Sequence, residues 1–227
     1  MKETLDALQL YKRLMDSGIL ASTGTITFNL ADVSVIINTT DTVGVTLQSW
    51  LKQWLTVNNI YFSEPTNTQE FPDFYLSNTD KNNNLLEVKA FNFNAQPAFD
   101  IANFESYCSS IREKAYRLDA DYLIFGYSMN PKGIISIKKM WLKKIWEIAG
   151  SSQRYPLKTQ VKRDMIYNIR PCTNFKVGTP PPFKNKEEFI NAIYGTLLIY
   201  KGDTFASGWL KKVYQNYEAH TTKKLDI

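Results

Sequence analysis

The sequence predicts a mixed α/β fold in which helices pack against a β-sheet. Apolar residues recur at helical spacing between Leu47 and Leu55, which indicates an amphipathic helix. An almost continuous apolar run at residues 122–127 is typical of a central strand covered on both faces. Between them, two strand-like segments flank the turn-forming residues 78–84, the pattern of a hairpin. Helices and strands alternating in this way favour a layered α/β architecture.

The first predicted helix covers residues 46–57, and the segments after it are short and extended. One side of this helix is apolar and is formed by Leu47, Trp50, Leu51, Trp54 and Leu55. A short strand is predicted at residues 60–62. Two more strands, at residues 71–77 and 85–91, are expected to pair as the hairpin.

The second predicted helix covers residues 100–116, with Asp100 as its N-cap. Its apolar face is formed by Ile101, Phe104, Cys108, Ile111 and Ala115. The strand at 122–127 follows, and the order is then helix, strand, strand, strand, helix, strand. Beyond it we expect a strand at residues 134–137 and a lysine-rich helix at 139–148.

Two helices are predicted towards the C-terminus, at residues 185–200 and 209–219. The first begins at Asn185 with a glutamate three residues later, the spacing of a capping box. The second carries an apolar stripe that is more typical of intramolecular core than of a dimer contact, made by Trp209, Leu210, Val213, Tyr214 and Tyr217. No segment is loose enough to separate independent domains, so a single domain of 227 residues is expected.

The composition excludes several classes of protein. Hydrophobic residues make up 44% of the chain and charged residues 22%, which is typical of a globular protein rather than a disordered one. No apolar run approaches the roughly 20 residues of a membrane helix. Cys108 and Cys172 are too few for a disulfide framework, although one bridge stays open, and this favours the cytoplasm.

Positive charge is concentrated in residues 131–170. This segment has ten basic and two acidic residues, a net charge of +8 within a chain of net charge +5, so the remainder is −3. The basic residues are Lys132, Lys138, Lys139, Lys143, Lys144, Arg154, Lys158, Lys162, Arg163 and Arg170. Such a block is expected of a protein that contacts a phosphate backbone. A lysine-rich face that is merely solvated is the alternative.

The hairpin carries three charged residues that are suited to metal-dependent chemistry. Side chains alternate between the two faces of a strand, so Glu87 and Lys89 point the same way. Asp73, just before the core-facing Phe74, is expected on that same side of the paired strand. Two carboxylates suit Mg²⁺, which takes one or two of them and keeps several waters. A neighbouring lysine can position a water or stabilise the charge developing on phosphorus.

Pro72-Asp73 followed by Glu87-Val88-Lys89 resembles the signature of the PD-(D/E)XK nucleases. The resemblance covers roughly residues 46–127, including the order of elements, and implies a restriction-endonuclease-like αβββαβ core elaborated by residues 128–227. It also implies that Asp73 and Glu87 bind Mg²⁺ and that Lys89 is the catalytic lysine. Many members place a carboxylate on the first helix. Here residues 46–57 contain none, and Gln48 is the nearest polar candidate.

The alternative for the same three residues is structural. A proline–aspartate turn occurs in many chains, and Glu87 and Lys89 would then form an ion pair on a solvated sheet face. Motifs for other chemistry are absent from the sequence, which contains no phosphate-binding G-x-x-x-x-G-K-[ST] loop and no G-x-G-x-x-G after a strand. His220 is the only histidine, so neither a zinc site nor a histidine base is expected.

Residues 155–163 and 167–170 are expected to form a basic β-ribbon that contacts DNA. The candidate DNA-binding residues there are Lys158, Gln160, Lys162, Arg163 and Arg170. Lysine and arginine match guanine in the major groove and glutamine matches adenine, although each of these side chains is more often a phosphate contact. Asn92 and Asn94 are candidates for contacts near the scissile phosphate, or alternatively caps of the following loop.

Taken with the resemblance, these features favour a type II restriction endonuclease that cuts double-stranded DNA with Mg²⁺. A homodimer is expected, because a palindromic site presents two strands related by a two-fold axis. A companion DNA methyltransferase is expected in the same system. The alternatives are a structure-specific repair or recombination nuclease of the same superfamily and a non-catalytic DNA-binding protein on a nuclease-like scaffold.

Overall fold

The computed structural model describes residues 2–67 and 70–225 and divides the chain into two compact units. The first unit consists of Met1–Gln96 and Asp121–Lys143, and the second of Pro97–Ala120 and Lys144–Ile227. The expectation of one endonuclease domain with a core at residues 46–127 stays a prediction. Among the described residues, no helix is both long and apolar enough to cross a membrane.

Seven helices and ten strands are described along the chain. The helices are α1 (Ala7–Asp16), α2 (Val43–Val57), α3 (Phe104–Glu113), α4 (Ile145–Ile148), α5 (Asn174–Val177), α6 (Lys186–Lys201) and α7 (Asp203–Thr221). The strands are β1 (Thr23–Gly24), β2 (Ile26–Leu30), β3 (Val33–Ile37), β4 (Phe74–Tyr75), β5 (Leu85–Asn92), β6 (Ala102–Asn103), β7 (Asp121–Met129), β8 (Ile135–Lys144), β9 (Thr159–Lys162) and β10 (Met165–Ile169). Short 3₁₀ turns lie at Ile19–Ala21, Thr40–Thr42 and Ala115–Asp119.

The first unit is built on a mixed five-stranded sheet with the order β1-β8-β7-β5-β4. Strands β5 and β7 are parallel, whereas β4 and β5 form the predicted antiparallel hairpin. The predicted central strand is confirmed as β7, whose Leu123, Ile124 and Phe125 are buried. Helices α1 and α2 pack their leucines into the same core as the sheet, so the predicted mixed α/β class is confirmed.

Two of the predicted strands are much shorter in the structure or missing. The strand expected at residues 60–62 is wrong, since Ile60 makes only an isolated bridge to Glu3. The strand expected at 71–77 is reduced to β4, which follows a cis peptide bond between Phe71 and Pro72. Isolated backbone bridges satisfy hydrogen bonds here without a continuous ladder, and a pattern of apolar residues does not distinguish the two arrangements.

The lysine-rich helix expected at residues 139–148 is wrong. Strand β8 continues to Lys144, and only Ile145–Ile148 are helical. The reason is the environment of Trp141, whose ring stacks on Phe91 and Phe93 with centroid distances of 5.6 and 6.3 Å. A Cβ added at Gly126 would lie 2.9 Å from the Trp141 ring, so the glycine makes room for the indole. Packing across the sheet therefore overrides the local pattern.

The predicted helix at residues 100–116 begins later than expected. Its N-cap is Asn103, whose Oδ1 accepts a hydrogen bond from the Ser106 N–H at 3.0 Å, so the assignment of Asp100 as the cap is wrong. Asp100 instead forms an ion pair with Arg170. The α-helical part ends at Glu113 and a 3₁₀ turn follows.

The second unit contains a three-stranded sheet, β6-β10-β9, with helices α3, α6 and α7. Both predicted C-terminal helices are confirmed, and the Asn185 side chain caps α6 by accepting from the Glu188 N–H at 2.9 Å. The stripe on α7 is intramolecular core, as interpreted, since Trp209 is buried and its Nε1 donates to the Cys108 carbonyl at 2.8 Å. Cys108 and Cys172 are free, buried thiols.

Candidate active site

The hairpin of β4 and β5 brings Asp73, Glu87 and Lys89 together in the first unit. Phe74 pairs with Leu86, so Asp73, which immediately precedes β4, lies across from Glu87. The Asp73 N–H donates to Glu87 Oε2 at 3.2 Å, and Asp73 Oδ2 accepts from the Val88 N–H at 2.7 Å. Strand alternation therefore predicted this convergence, while the catalytic and metal-binding roles of the three residues stay predictions.

Glu87 and Lys89 form a largely buried ion pair. Lys89 Nζ lies 2.9 Å from Glu87 Oε1, and the side chains of Lys89 and Glu87 are only 19% and 11% exposed. Burying a charge is costly, even when the charge is paired and hydrogen-bonded. A surface turn would leave these side chains in water, so it does not account for the buried pair. The burial argues against the alternative of a solvated ion pair on an exposed sheet face.

Helix α2 contributes Gln48 to the same cluster. Gln48 Nε2 donates to Asp73 Oδ1 at 2.7 Å, so both oxygens of the Asp73 carboxylate accept a hydrogen bond from the protein. The helix thus supplies a neutral amide, where the resemblance to the PD-(D/E)XK nucleases suggested a carboxylate. Gln48 fixes the rotamer of Asp73 and adds no negative charge.

The electrostatic environment of Asp73 favours a bound cation or a proton. Burial and the charge of Glu87 together raise the pKa of Asp73 to about 7, against the lowering effects of the Val88 N–H, Lys89 and Gln48. A divalent cation between the two carboxylates would offset their repulsion. Among the residues described, no group of three or more His, Cys, Asp or Glu side chains is arranged to hold a metal. Two carboxylates fit Mg²⁺, which retains several waters.

A polar cavity of about 500 Å³ opens beside Asp73. It is lined by Val45, Gln48, Ser49, Lys52, Glu64, Pro65, Asp73 and Phe74. Lys52 Nζ pairs with Glu64 Oε2 at 2.6 Å in its wall. Ser49, Lys52 and Glu64 were not predicted from the sequence as site residues. Gln48 and Lys52 are four residues apart on one helix, and this spacing was the only local signal for Lys52.

The predicted basic ribbon is confirmed as a hairpin of β9 and β10 in the second unit. Arg163 and Asp164 form its two-residue turn and both have positive φ, of 50° and 60°, the geometry of a type I′ turn. Lys162 Nζ lies 5.6 Å from the centroid of the Tyr167 ring. Gln160 Oε1 accepts from Asn168 Nδ2 at 3.1 Å, across the ribbon.

The five ribbon candidates differ in how they are held. Lys162 and Arg163 are exposed near the turn, where they are available to a ligand. Lys158 Nζ donates to the Pro171 carbonyl at 3.1 Å, and Arg170 donates to the Ala98 carbonyl at 2.7 Å besides its pair with Asp100. Lys158 and Arg170 therefore stabilise the second unit, and all five DNA-binding assignments stay predictions.

Asn92 and Asn94 lie at the end of β5 in the first unit. Asn92 Oδ1 accepts from the Asn94 N–H at 3.0 Å, and the Ala95 N–H donates to the Asn92 carbonyl at 2.9 Å. Asn92 therefore caps a tight turn, which is the structural role considered for it, and Asn94 is exposed. A contact of either residue with DNA stays a prediction.

Comparisons with known proteins identify relatives along the whole chain. A family model described as NgoBV restriction endonuclease matches residues 4–227. The type II restriction enzyme NlaIV of Neisseria lactamica is 41% identical over 98% of this chain and 93% of its own length. The type II restriction enzyme NgoBV of Neisseria gonorrhoeae is 41% identical over 70% of this chain and 91% of its own length. A solved NlaIV restriction endonuclease is similar with a TM-score of 0.92 at 40% identity, covering 100% of this chain and 94% of its own.

These relatives agree with the predicted class of enzyme and with the predicted fold. The structural match confirms the predicted restriction-endonuclease-like fold class, a mixed sheet with flanking helices. The predicted resemblance to a type II restriction endonuclease is confirmed by the same relatives. The family model extends well beyond the hairpin, over both compact units. The chain belongs to the NgoBV restriction endonuclease family.

Proposed function

We propose that this type II restriction endonuclease uses Mg²⁺ to hydrolyse both strands of double-stranded DNA at a short specific sequence. The observation that carries the proposal is the buried cluster of Asp73, Glu87 and Lys89, joined to α2 through Gln48. A buried group of two carboxylates and a lysine is costly to the fold, and metal-dependent phosphodiester hydrolysis gives each of its members a role.

In this proposal each side chain has a separate task. Asp73 and Glu87 hold the ion, and Gln48 keeps the Asp73 carboxylate in one orientation through its 2.7 Å hydrogen bond. Mg²⁺, when bound, supplies a nucleophilic water of lowered pKa and stabilises negative charge on the phosphate oxygens. Lys89, which Glu87 positions, holds its ammonium group where a water or a phosphoryl oxygen can accept a hydrogen bond from it.

Removal of divalent cations is expected to abolish cleavage. In EDTA the two carboxylates repel each other and no activated water is available, so the rate should fall by at least about 10³-fold. Mg²⁺ should restore it, Mn²⁺ should substitute, and Ca²⁺ should support DNA binding without cutting. Cleavage of plasmid and phage DNA measures the rate, and a gel-shift assay run in parallel measures DNA binding. Undiminished cleavage in EDTA would show that the site works without a metal.

The assembly and cellular context follow from the same proposal. One site hydrolyses one phosphodiester, so a homodimer would present one site to each strand of a two-fold symmetric sequence. We propose a cytoplasmic enzyme whose host DNA is protected by a companion methyltransferase. A methyltransferase gene beside the nuclease gene, and resistance of methylated DNA to cleavage, are the expected observations. Digestion fragments with random ends would instead indicate a structure-specific nuclease.

Replacing Lys162 or Arg163 by Ala is expected to weaken DNA binding without preventing folding, because both side chains are exposed near the turn of the ribbon. If a side chain contacts a phosphate, the slope of log K against log salt should flatten by about 0.9 for that residue. If it reads a base, sequence preference should relax as well. The control is Lys211→Ala, an exposed lysine of α7 outside the basic block. Unchanged binding by both ribbon variants would place the recognition surface elsewhere.

A further inference from the structure

An exposed apolar hairpin projects from the first unit at β2 and β3. The pairing register places six apolar residues on one face, because directly opposed residues of an antiparallel pair share a face. They form the pairs Ile26 with Ile37, Phe28 with Val35, and Leu30 with Val33. We call this set the apolar ribbon face. The opposite face carries Thr27 with Ile36 and Asn29 with Ser34.

The outer four residues of the apolar ribbon face lie in solvent, whereas Ile26 and Ile37 at its base are half-buried. Phe28 is 54% exposed, Leu30 67%, Val33 69% and Val35 46%. With typical side-chain areas these four offer on the order of 400 Å² of apolar surface, the size at which a patch on a monomer marks a binding site. A two-stranded hairpin is marginal without a covered face, and a β-branched apolar ribbon left open invites aggregation. Something is therefore expected to cover it.

The opposite face contacts the protein's own turn only at its base, where Ile36 approaches Gly133. A Cβ added at Gly133, whose φ is +76°, would meet Ile36 Cγ2 at 2.6 Å and the Ile37 carbonyl oxygen at 3.1 Å. The hairpin is thus packed closely against this turn through Ile36. Ile36 is nevertheless 49% exposed, and Thr27, Asn29 and Ser34 are exposed as well, so the apolar ribbon face differs from the opposite face in its chemistry and not in its exposure.

The charge of the hairpin does not favour nucleic acid as its ligand. Residues 26–37 contain no lysine or arginine, and Asp32 at the tip is their only charged residue. Phosphate groups are bound by cations, which this segment lacks within a chain of net charge +5. The expected occupant is an apolar protein surface.

The apolar ribbon face continues into a shallow apolar pocket at its base. Ile26 lines this pocket, which has a volume of about 150 Å³, together with Ile19, Leu47, Trp50, Ile135 and Ile137. A stable dimer buries about 1,200–2,000 Å² in total, and two ribbon faces alone offer roughly 800 Å². The ribbon and the pocket together approach the size that a self-complementary interface needs.

We propose that the apolar ribbon face is the dimerisation surface of this chain and that its occupant is the same face of a second copy. A two-fold interface uses one patch twice, so a single apolar, nearly uncharged patch is sufficient for it. The inference rests on the proposed function in one respect, the need for two active sites on one duplex. The proposal goes beyond that function by naming the residues that join the two copies.

The test compares two double substitutions on adjacent cross-strand pairs of the hairpin. Leu30→Glu with Val33→Glu places two charges on the apolar ribbon face, and Asn29→Glu with Ser34→Glu places two on the opposite face. Both variants put like charges directly across the ribbon, so the second controls for the repulsion that two glutamates add to the hairpin itself. Only the first is expected to disturb a dimer. Circular dichroism checks that both variants fold.

The mass of the full chain is measured by light scattering and sedimentation over a range of concentrations without DNA. Wild type and the Asn29/Ser34 variant should reach about twice 26.2 kDa. The Leu30/Val33 variant should dissociate with a constant at least about 30-fold weaker, the effect of a central interface residue. In wild type, hydrogen exchange at residues 26–37 should slow over the range of concentrations in which the dimer forms. A wild type that stays monomeric, a Leu30/Val33 variant that stays dimeric, or equal dissociation of both variants would overturn the proposal.

Plasmid cleavage separates this inference from the proposed function. Wild type should convert a plasmid with one site directly to linear product, whereas the Leu30/Val33 variant should accumulate nicked circles. A dimer that responds to the variants as expected but cuts no DNA would contradict the proposed function and leave the interface standing. Specific cleavage by a protein whose mass is insensitive to Leu30 and Val33 would contradict the interface and leave the function standing.

Discussion

Asp73→Asn is expected to lower the rate of DNA cleavage by at least about 10³-fold, which corresponds to about 4 kcal/mol of transition-state stabilisation. The substitution removes one of the two carboxylates available to a divalent ion while keeping the size and hydrogen-bonding capacity of the side chain. The Gln48 amide can turn so that its oxygen accepts a hydrogen bond from the new amide at position 73, so the fold should survive. Specific DNA binding, measured with Ca²⁺, should change only a few-fold.

Lys89→Ala is expected to have an effect of similar size for a different reason. It removes the ammonium group that pairs with Glu87 at 2.9 Å and leaves that carboxylate buried without this partner. The matched controls are Asp16→Asn and Lys12→Ala, exposed residues of α1 in the same unit, which should cut like wild type. Single-turnover rates at saturating enzyme report the chemical step separately from binding. Full cleavage by Asp73→Asn would remove Asp73 from the metal site.

The convergence of the site was predictable from sequence because it depends on local rules. Strand alternation places Glu87 and Lys89 on one side of β5, and a short hairpin fixes Asp73 opposite Glu87. Lys52 and Glu64 were not predictable in the same way. Their place beside Asp73 depends on how α2 lies against the segment that carries Glu64, which is a matter of tertiary packing. Local periodicity contains no information on that distance.

The fold shows the same division between local and long-range causes. Helix α2 and strand β7 were predicted because each has a single clear period or a continuous apolar run. The end of β8 was not predicted, because it depends on residues from distant parts of the chain. Trp141 fits into the space left at Gly126 and stacks on the rings of Phe91 and Phe93. The β2–β3 hairpin was also missed, although residues 26–30 alternate between apolar and polar, which is a local signal of a strand.

The metal-free protein is expected to lose stability as the pH rises from about 4 to about 7. Folding raises the pKa of Asp73 from 3.8 to about 7, chiefly through burial and then through the charge of Glu87. The unfolded chain therefore releases this proton first, and above pH 3.8 the folded state must hold it or bear an unfavourable charge. The stability that the protonated Asp73 carboxyl contributes is fully present below its unfolded pKa of 3.8, and it is lost as the pH rises through the folded pKa of about 7.

The expected size of this effect is up to about 3 kcal/mol between pH 5 and pH 8, since each unit of pKa corresponds to about 1.4 kcal/mol. Denaturant titrations in EDTA at these two pH values measure it as a change in the free energy of unfolding. Asp73→Asn removes the titrating group, so the variant should be less dependent on pH and more stable than wild type at pH 8. Asp16→Asn should keep the wild-type dependence. Mg²⁺ should restore the wild type at pH 8 and have little effect on Asp73→Asn, because the ion stabilises only the folded state that binds it. A wild type that loses no more stability than Asp73→Asn over this range would show that the Asp73 carboxylate is not strained in the folded protein.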